Sequence, residues 1–375
     1  MSLVFLVPGF FGFTQLGTFN YFHRVGGVLR EALAERGVTA EVIETATPPT
    51  GSIRRRALRL LDVVRESTGA DRDPLHFVGH STGGLDVRLL LTPDVQLSPG
   101  WTEERIGERA RSVITISTPH FGTPIASFFT SLNGRNLLYL LTTLVTSSPG
   151  RMSAYLIART LTTAAHLDDY IGQRGTILDS FADNVLRHVT PERGSQLFTY
   201  LRNVSADQGA MAQLMPSVAD LFNAAVTDRP GVTYASFATV APPPSFDWWS
   251  WRDVYTPLTY VAYALAYTLA AREQRQYPYP WPGGEDGAAL RAPLSFPVDR
   301  SSNDGIVPTL SQLWGRLREV VPGDHLDVVG QFPQTIDGRA YAGWIHSGAN
   351  FREPQFRSLW GHVADVIAEA EKAPA

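Results

Sequence analysis

Short apolar segments alternate with segments of helical periodicity along the first 122 residues. The first of them, "LVFLVPGF" at 3–10, ends its apolar run in Pro-Gly, which is typical of a strand buried on both faces. Strands that alternate with helices build a mainly parallel sheet covered by helices on both faces, so we predict an α/β fold. The predicted strands lie in 3–10, 40–46, 74–81 and 111–124, and the predicted helices in 24–38, 52–69 and 83–91.

This alternation stops after residue 124. Residues 125–225 contain apolar helical sequence with no evident strand, "GVTYASFATVAP" at 231–242 predicts another strand, and core-like sequence resumes near residue 293. One α/β core interrupted by two largely helical insertions is the simplest organisation. The predicted units are the first part of the core (1–124), a helical cap insertion (125–228), a core strand (229–242), a second lid or cap insertion (243–292) and the last part of the core (293–375).

Composition excludes several classes of protein. The chain has 375 residues, 44% of them hydrophobic, and a net charge of −4, so it lacks the basic field that nucleic-acid binding requires. It has no cysteine, which excludes disulfides and cysteine-based zinc sites. The N-terminal segment has neither a basic region nor a small-residue cleavage site, so we expect a cytoplasmic protein, or a secreted one whose leader is absent from this sequence.

Two apolar segments of the insertions, 128–145 and 254–271, carry few charges. The second approaches the length of a membrane span, but Pro257 and four tyrosines favour a helix that covers another part of the protein, so we expect no transmembrane anchor. Such helices are expected to line an acyl-chain pocket or form a lid over it, with packed cap core as the alternative. The "FDWWSW" cluster at 246–251 is expected to contact lipid or to pack under the cap.

The sequence "FVGHSTGGLD" at 77–86 predicts a nucleophile turn. Ser81 lies between Gly79 and Gly83, after an apolar strand and before a helical segment, which is the context that a Gly-x-Ser-x-Gly nucleophile requires. The alternative is a structural serine in a glycine-rich turn. We interpret the neighbouring His80 as a packing residue.

A nucleophilic serine needs a histidine base, which in this type of fold follows the serine and an acid along the chain. Three histidines lie far enough downstream, namely His325, His346 and His362. His325 follows a predicted strand and a Pro-Gly turn, where a catalytic loop is expected. His346 is the alternative, and His362 lies in the last predicted helix as a surface residue.

The acid is predicted in the turn "RSSNDGIVP", which contains Asp304. A carboxylate there accepts the imidazole N–H of the base and holds the productive tautomer. Asp304 is preferred because it lies between the serine and His325 along the chain. Asp299, Asp324 and Asp327 are the alternatives, and a turn or capping role is open for each aspartate.

Acyl transfer also needs donors for the oxyanion. One is expected to be the backbone N–H of Thr82, and the other that of Phe10 in "LVPGFFGF". Gly9 and Gly12 allow the backbone to turn sharply there. A plain tight turn is the alternative.

These motifs together resemble the bacterial triacylglycerol lipases of the α/β-hydrolase superfamily, typified by the Pseudomonas and Burkholderia enzymes. "VPGFFGF" is similar to their oxyanion loop, "GHSTGG" to the nucleophile turn, "NDGIVP" to the acid segment and "DHLDVVGQF" to the histidine segment. The resemblance implies the α/β-hydrolase fold, with a mainly parallel central sheet, helices on both faces and helical cap or lid insertions. It covers the core segments well and the insertions poorly.

The roles that the resemblance implies agree with the motifs. Ser81 would be the nucleophile, Asp304 the acid and His325 the base. Phe10 and Thr82 would be the oxyanion donors. One departure is Pro8, which stands where the family usually has histidine, so the setting of the first donor is altered.

The family also has a calcium site near its catalytic histidine. Asp327 and Gln331, two and six residues after His325, match two of its ligand positions. Calcium takes six to eight oxygen ligands, and Asp299 is too close to the acid turn to be the missing partner. Structural calcium is therefore one interpretation, and bracing of the histidine loop by these two side chains is the other.

We therefore expect a serine hydrolase that cleaves carboxylic esters with apolar acyl chains, either a triacylglycerol lipase or a carboxylesterase. It would act on a small-molecule ester or lipid, contact a lipid interface, take part in lipid degradation and need no cofactor for its chemistry. The alternatives are a polyester depolymerase or an acyltransferase with the same triad, and a non-catalytic lipid-binding member of the fold.

Overall fold

The computed structural model describes residues 1–10, 12, 15–16, 19–68, 73–93, 95–98, 102–130, 207, 209–245, 256–272, 275–292, 294, 296–336, 339–342 and 347–373. His346, the tryptophan cluster at 246–251 and most of the first apolar insertion segment lie outside these residues. The roles predicted for them stay predictions.

A parallel sheet of six strands forms the centre of the fold. Its strands are β1 (Ser2–Val7), β4 (Ala40–Glu44), β5 (Leu75–His80), β6 (Ala110–Ile116), β7 (Thr233–Val240) and β8 (Arg316–Pro322). Their order is β4-β1-β5-β6-β7-β8, and every neighbouring pair is parallel. Two small antiparallel pairs are formed by β2 (Gln15–Leu16) with β3 (Phe19–Asn20) and by β9 (Pro333–Ile336) with β10 (Arg339–Ala342).

Helices follow most of the strands along the chain. They are α1 (Val25–Glu35), α2 (Ile53–Thr68), α3 (Thr82–Leu91), α4 (Thr102–Arg109), α5 (Pro124–Thr130), α6 (Gly209–Gln213), α7 (Pro216–Ala225), α8 (Thr256–Ala270), α9 (Gly284–Leu290) and α10 (Glu353–Lys372). Short 3₁₀ turns lie at Thr309–Gln312 and Asp327–Val329.

The sheet buries both of its faces. Side chains alternate across a strand, so Val4 and Leu6 of β1 pack with α1 and α10, whereas Leu3 and Phe5 pack with α2 and α3. Each such side chain stabilises the fold by about 1.5–3 kcal/mol when it leaves water. This double burial explains the unbroken apolar runs of the sequence, and the predicted parallel α/β architecture is confirmed.

Helices from the predicted insertions contact the core. The backbone N–H of Ala210 in α6 donates to Thr50 O at 3.1 Å, and Thr123 N–H donates to Leu214 O at 2.8 Å. The apolar segment after residue 254 forms α8, whose Tyr263 and Tyr267 are buried. Among the described helices, none combines the length and apolarity needed to cross a membrane.

Candidate active site

Ser81 lies in a strained turn at the carboxyl end of β5. Its backbone has φ 54° and ψ −132°, and the next residue begins α3. A non-glycine residue in such a conformation costs on the order of 1–3 kcal/mol and persists only where its surroundings impose it. The Ser81 N–H donates to Ile116 O of the adjacent strand at 2.9 Å, which fixes the turn to the sheet.

The two glycines beside Ser81 are required by close packing. A Cβ at Gly79 would lie 2.5 Å from the Gly84 Cα, and a Cβ at Gly83 would lie 2.2 Å from the Val7 carbonyl oxygen. Both distances are far below van der Waals contact. The Gly-x-Ser-x-Gly pattern therefore reflects how tightly α3 is packed against β1 and β5.

Asp304 contacts His325 directly. The distance between Asp304 Oδ2 and His325 Nδ1 is 2.8 Å, and both side chains are almost fully buried. The backbone N–H of His325 also donates to the Asp304 carbonyl oxygen at 3.0 Å. The acid turn and the histidine loop are therefore joined by a side-chain contact and a backbone contact.

Four further groups orient the Asp304 carboxylate. Its Oδ1 accepts the backbone N–H groups of Ile306 at 3.0 Å and Val307 at 2.7 Å. Its Oδ2 accepts the Thr239 hydroxyl at 2.7 Å and the Gln312 amide at 3.3 Å. These contacts hold the carboxylate in one orientation, with Oδ2 towards the imidazole.

The fold brings His325 beside the serine turn. The ring of His80, which precedes Ser81, has its centre 4.8 Å from the centre of the His325 ring. In the described part of the chain, no hydrogen bond joins the Ser81 hydroxyl to the His325 ring. Such contacts are often long in ligand-free enzymes and shorten when substrate is bound.

The segments that carry the two predicted oxyanion donors both adjoin Ser81. Thr82 is the first residue of α3, so the helix itself does not use its backbone N–H. Phe10 follows Gly9, where a Cβ would lie 2.5 Å from the Ser81 Cβ. The loop after β1 therefore packs directly against the serine.

A buried arginine that belongs to none of the four sequence motifs holds this loop. Arg56 of α2 donates to the carbonyl oxygens of Pro8 at 2.7 Å and Gly9 at 3.0 Å. It also forms an ion pair of 2.8 Å with Asp86 of α3, and neither side chain is exposed. Burial raises the pKa of Asp86 to about 6, although Arg56 opposes this shift. The sequence does indicate that Arg56 is unusual, because this charged residue lies on the apolar stripe of α2 that Ile53 and Leu60 define.

The alternative acids have other partners. Asp299 accepts the hydroxyl and backbone N–H groups of Ser301 and Ser302, which is a turn role. Asp324 accepts two backbone N–H groups of the histidine loop through Oδ1, and Asp327 accepts the Asp324 N–H at 2.9 Å. Burial raises the pKa of Asp324 to about 6 and also raises that of Asp327. Asp304 is the carboxylate that contacts the His325 ring.

The alternative histidine His362 lies on the surface, as predicted. Its side chain is half exposed, and its Nδ1 lies 2.8 Å from Glu319 Oε2. His346 lies outside the described residues.

The predicted calcium ligands make protein contacts. Gln331 turns its amide nitrogen to the Asn20 carbonyl oxygen at 2.6 Å, and Asp327 caps the Asp324 backbone. No group of three histidine, cysteine or acidic side chains able to hold a metal occurs among the described residues. This donor set fits a brace for the histidine loop better than a cation that takes six to eight oxygens.

Helix α8 covers the acid turn, in agreement with the prediction that the apolar segment at 254–271 forms a covering helix. The Asn303 amide donates to the Tyr267 carbonyl oxygen at 3.3 Å, and the Tyr263 hydroxyl donates to Pro242 O. Gly305 has φ +92°, and a Cβ there would lie 3.1 Å from the Tyr263 ring. The helix is thereby attached to the segment that carries Asp304.

Known proteins resemble this chain in part of its sequence and in its fold. No protein-family model matches the sequence. A triacylglycerol lipase of Pseudomonas fragi is 29% identical over 124 residues, which span 33% of this chain and 36% of that lipase. EstA from Clostridium botulinum has a TM-score of 0.54 at 18% identity, over 100% of this chain and 88% of that chain. Staphylococcus hyicus lipase has a TM-score of 0.52 at 17% identity, over 99% and 96% of the two chains.

The chain has the α/β-hydrolase fold, and about a third of its sequence is similar to that of a lipase. A further solved structure, lipase 1 from Pelosinus fermentans, has a TM-score of 0.50 at 18% identity and covers 100% of this chain and 99% of that one. At these identities, the solved structures establish the fold of this chain. The match to the Pseudomonas fragi lipase spans about a third of that enzyme, so activity and substrate are inferred from the site.

Proposed function

We propose that this protein is a carboxylic ester hydrolase, a lipase or carboxylesterase, that works through an acyl-serine intermediate. The main observation behind this proposal is the 2.8 Å contact between Asp304 and His325, which lies beside the strained serine turn. The named relatives support the same class, because the Pseudomonas fragi relative is called a triacylglycerol lipase.

The proposed reaction starts with attack of Ser81 Oγ on the ester carbonyl carbon. His325 Nε2 takes the hydroxyl proton, while Asp304 accepts the N–H at Nδ1 and stabilises the imidazolium that forms. The carbonyl oxygen becomes an oxyanion that receives hydrogen bonds from the backbone N–H groups of Phe10 and Thr82. When the tetrahedral intermediate collapses, the C–O bond to the alcohol breaks and His325 returns the proton to the leaving oxygen.

Water then removes the acyl group. His325 takes a proton from the water, the resulting hydroxide attacks the acyl carbonyl, and Ser81 leaves with the proton that His325 returns. The products are a carboxylic acid, an alcohol and the free enzyme. The chain itself supplies every group that moves a proton.

Apolar acyl chains are the proposed substrates. The apolar helix α8 lies over the acid turn, and its buried Leu269 packs with Ile125 of α5. Such surfaces suit a hydrocarbon chain rather than a charged acyl group. Long-chain esters are the first choice and medium-chain esters the second.

Hydrolysis of p-nitrophenyl esters of increasing acyl length tests both the class and the substrate. We expect kcat/KM to rise from the acetyl ester to medium or long chains. Ser81→Ala should lose at least about 10³-fold in kcat, whereas the matched surface variant Ser358→Ala should keep full activity. Unchanged hydrolysis by Ser81→Ala would exclude the proposed nucleophile.

The alternative functions give different outcomes in the same assay. An acyltransferase would form more ester than acid when an alcohol acceptor is added, and a polyester depolymerase would release acid from a polymer film faster than from a triacylglycerol emulsion. A lipid-binding protein without catalysis would hydrolyse none of the esters.

A further inference from the structure

His80, the residue before Ser81, is buried and has both ring nitrogens in hydrogen bonds. Its Nδ1 lies 2.7 Å from the hydroxyl oxygen of Tyr21, and its Nε2 lies 2.8 Å from the backbone carbonyl oxygen of His325. The proposed mechanism uses neither His80 nor Tyr21. A polar pair that is fully buried between catalytic segments is expensive unless each of its groups is satisfied.

The same tyrosine reaches the oxyanion loop. The backbone N–H of Gly9, the residue before Phe10, donates to the Tyr21 hydroxyl oxygen at 2.7 Å. Three hydrogen bonds therefore lead from the loop that carries one oxyanion donor to the backbone of the catalytic base. The chain of contacts runs Gly9, Tyr21, His80, His325.

A neutral His80 allows one direction for these bonds. The Gly9 N–H can only donate and the His325 carbonyl can only accept. The Tyr21 oxygen therefore accepts from Gly9 and gives its own proton to His80 Nδ1. The single ring proton of the neutral His80 then lies on Nε2, which donates to the His325 carbonyl.

The ionisation properties of the two side chains agree with this direction. Burial raises the pKa of Tyr21, so its hydroxyl keeps the proton that it donates. Burial, and then the neighbouring His325, lower the pKa of His80 well below its usual range, so the ring keeps one lone pair to accept that proton. Both groups are neutral wherever the enzyme is expected to work.

We propose that Tyr21 and His80 are positioning residues that fix the oxyanion loop and the catalytic histidine at a set distance from each other. The inference rests on the proposed ester hydrolysis. The oxyanion loop follows β1, and the histidine loop follows β8. In the sheet, β1 is the neighbour of β5 on one side, and β8 lies three places from β5 on the other side. His80 ends β5, so one rigid strand holds both loops.

Such a link matters in the transition state. An oxyanion donor acts at about 2.7–3.1 Å from the developing charge, and a displacement of about 1 Å lowers the rate by up to about 10²-fold. Substrate binding depends far less on this distance. The link should therefore affect kcat more than KM.

The test compares Tyr21→Phe with a matched control. Tyr234→Phe also removes a hydroxyl that accepts a backbone N–H, that of Arg229 at 3.0 Å, but this contact does not involve the serine turn. We expect Tyr21→Phe to lower kcat about 10- to 100-fold with KM within about threefold of wild type. Tyr234→Phe should leave both constants unchanged.

A double-variant cycle tests whether the two residues act as one unit. His80→Gln places an amide nitrogen where Nε2 donates but loses the ring acceptor for Tyr21. If the residues act through one chain, the double variant should lose no more kcat than the worse single variant. If the losses multiply instead, the two residues act separately and the proposal is wrong.

Other outcomes separate this inference from the proposed function. Full kcat in Tyr21→Phe, together with an inactive Ser81→Ala, would overturn the positioning role and leave ester hydrolysis standing. An active Ser81→Ala would remove the proposed function itself. If Tyr21→Phe fails to fold, His80→Gln alone is decisive, because full kcat in that variant contradicts the link and a kcat loss at constant KM supports it.

Discussion

Replacement of Arg56 by methionine should destabilise the protein strongly, because this side chain holds several buried groups at once. Its guanidinium pairs with Asp86 at 2.8 Å and donates to the carbonyl oxygens of Pro8, Gly9 and Pro48. Methionine keeps most of the packing volume and removes every one of these contacts. Asp86 would remain as a carboxylate without exposure to solvent and without its cation.

The expected loss follows from this geometry. Removal of one partner from a buried ion pair lowers the free energy of unfolding by about 3–5 kcal/mol. The double variant Arg56→Met with Asp86→Leu should lose less, since no charge then stays buried. The control Arg59→Met changes an exposed arginine of the same helix and should stay within about 0.5 kcal/mol of wild type.

The loss should depend on pH in a defined direction. The folded-state pKa of Asp86, about 6, lies above the reference value of 3.8, so its contribution favours folding below pH 3.8 and is lost as the pH rises through 6. Arg56 lowers this pKa by charge and hydrogen bonding, so the pKa rises further in Arg56→Met. The stability difference between the variant and wild type should therefore be smaller at about pH 5 than at about pH 8, while the part caused by the lost carbonyl contacts stays constant.

Urea unfolding at several pH values measures this difference directly. Because Arg56 also holds the Pro8 and Gly9 carbonyls, kcat of the folded variant should fall as well. A stability loss below about 1 kcal/mol at neutral pH, or one that grows as the pH falls, would refute the reasoning.

Three further predictions concern the acid, the metal and the C-terminal helix. Asp304→Asn should lower kcat by about 10³- to 10⁴-fold with little change in fold, because asparagine selects the wrong tautomer of His325; a loss below about tenfold would contradict the acid assignment. EDTA should leave melting temperature and activity unchanged if the histidine loop is braced by protein contacts alone, and a drop restored by calcium would establish the metal site. The His76 hydrogen bond lowers the Glu371 pKa to about 2, so the Glu371 carboxylate stabilises the wild-type fold above about pH 4.5 and loses this effect as the pH falls towards 2. Glu371→Gln should remove this stabilisation. Melting temperature measured against pH tests the prediction, and identical curves for the variant and wild type would contradict it.

The sequence predicts the sheet well because the physical cause is local. Strands buried on both faces need long apolar runs; "LVFLV" in β1 is such a run, and "LHFV" in β5 is interrupted by the buried His76 alone. Helix α2 is equally visible, since its apolar residues recur at helical spacing. The Ser52 hydroxyl at its start accepts the Arg55 N–H at 3.4 Å, as a capping residue does.

In the candidate site, too, the residues that can be predicted are those with a local pattern in the sequence. Ser81 can be found because a strained turn packed against two strands needs glycines at fixed spacing. Asp304 and His325 can be found by chain order and motif, although the choice among four aspartates needs their positions in space. The distance between Asp304 and His325 supplies that choice.

The supporting residues cannot be found in this way. Tyr21 is separated from His80 by 59 residues along the chain, and His80 from the His325 carbonyl by 245, and no local pattern relates them. His80 is buried, as the packing interpretation requires, but its ring also bridges two loops. Arg56 gives a weak signal as a charge on an apolar stripe, which amphipathicity alone treats as an imperfection of the helix.

The most direct measurement of the central claim is covalent labelling of the intact enzyme with an organophosphate ester that reacts with activated serines. Mass spectrometry should detect one adduct per chain, on the peptide that contains Ser81, with loss of esterase activity in proportion to labelling. Asp304→Asn should slow the labelling, and Ser81→Ala should abolish it. Labelling of another residue, or full esterase activity in fully labelled protein, would contradict the account.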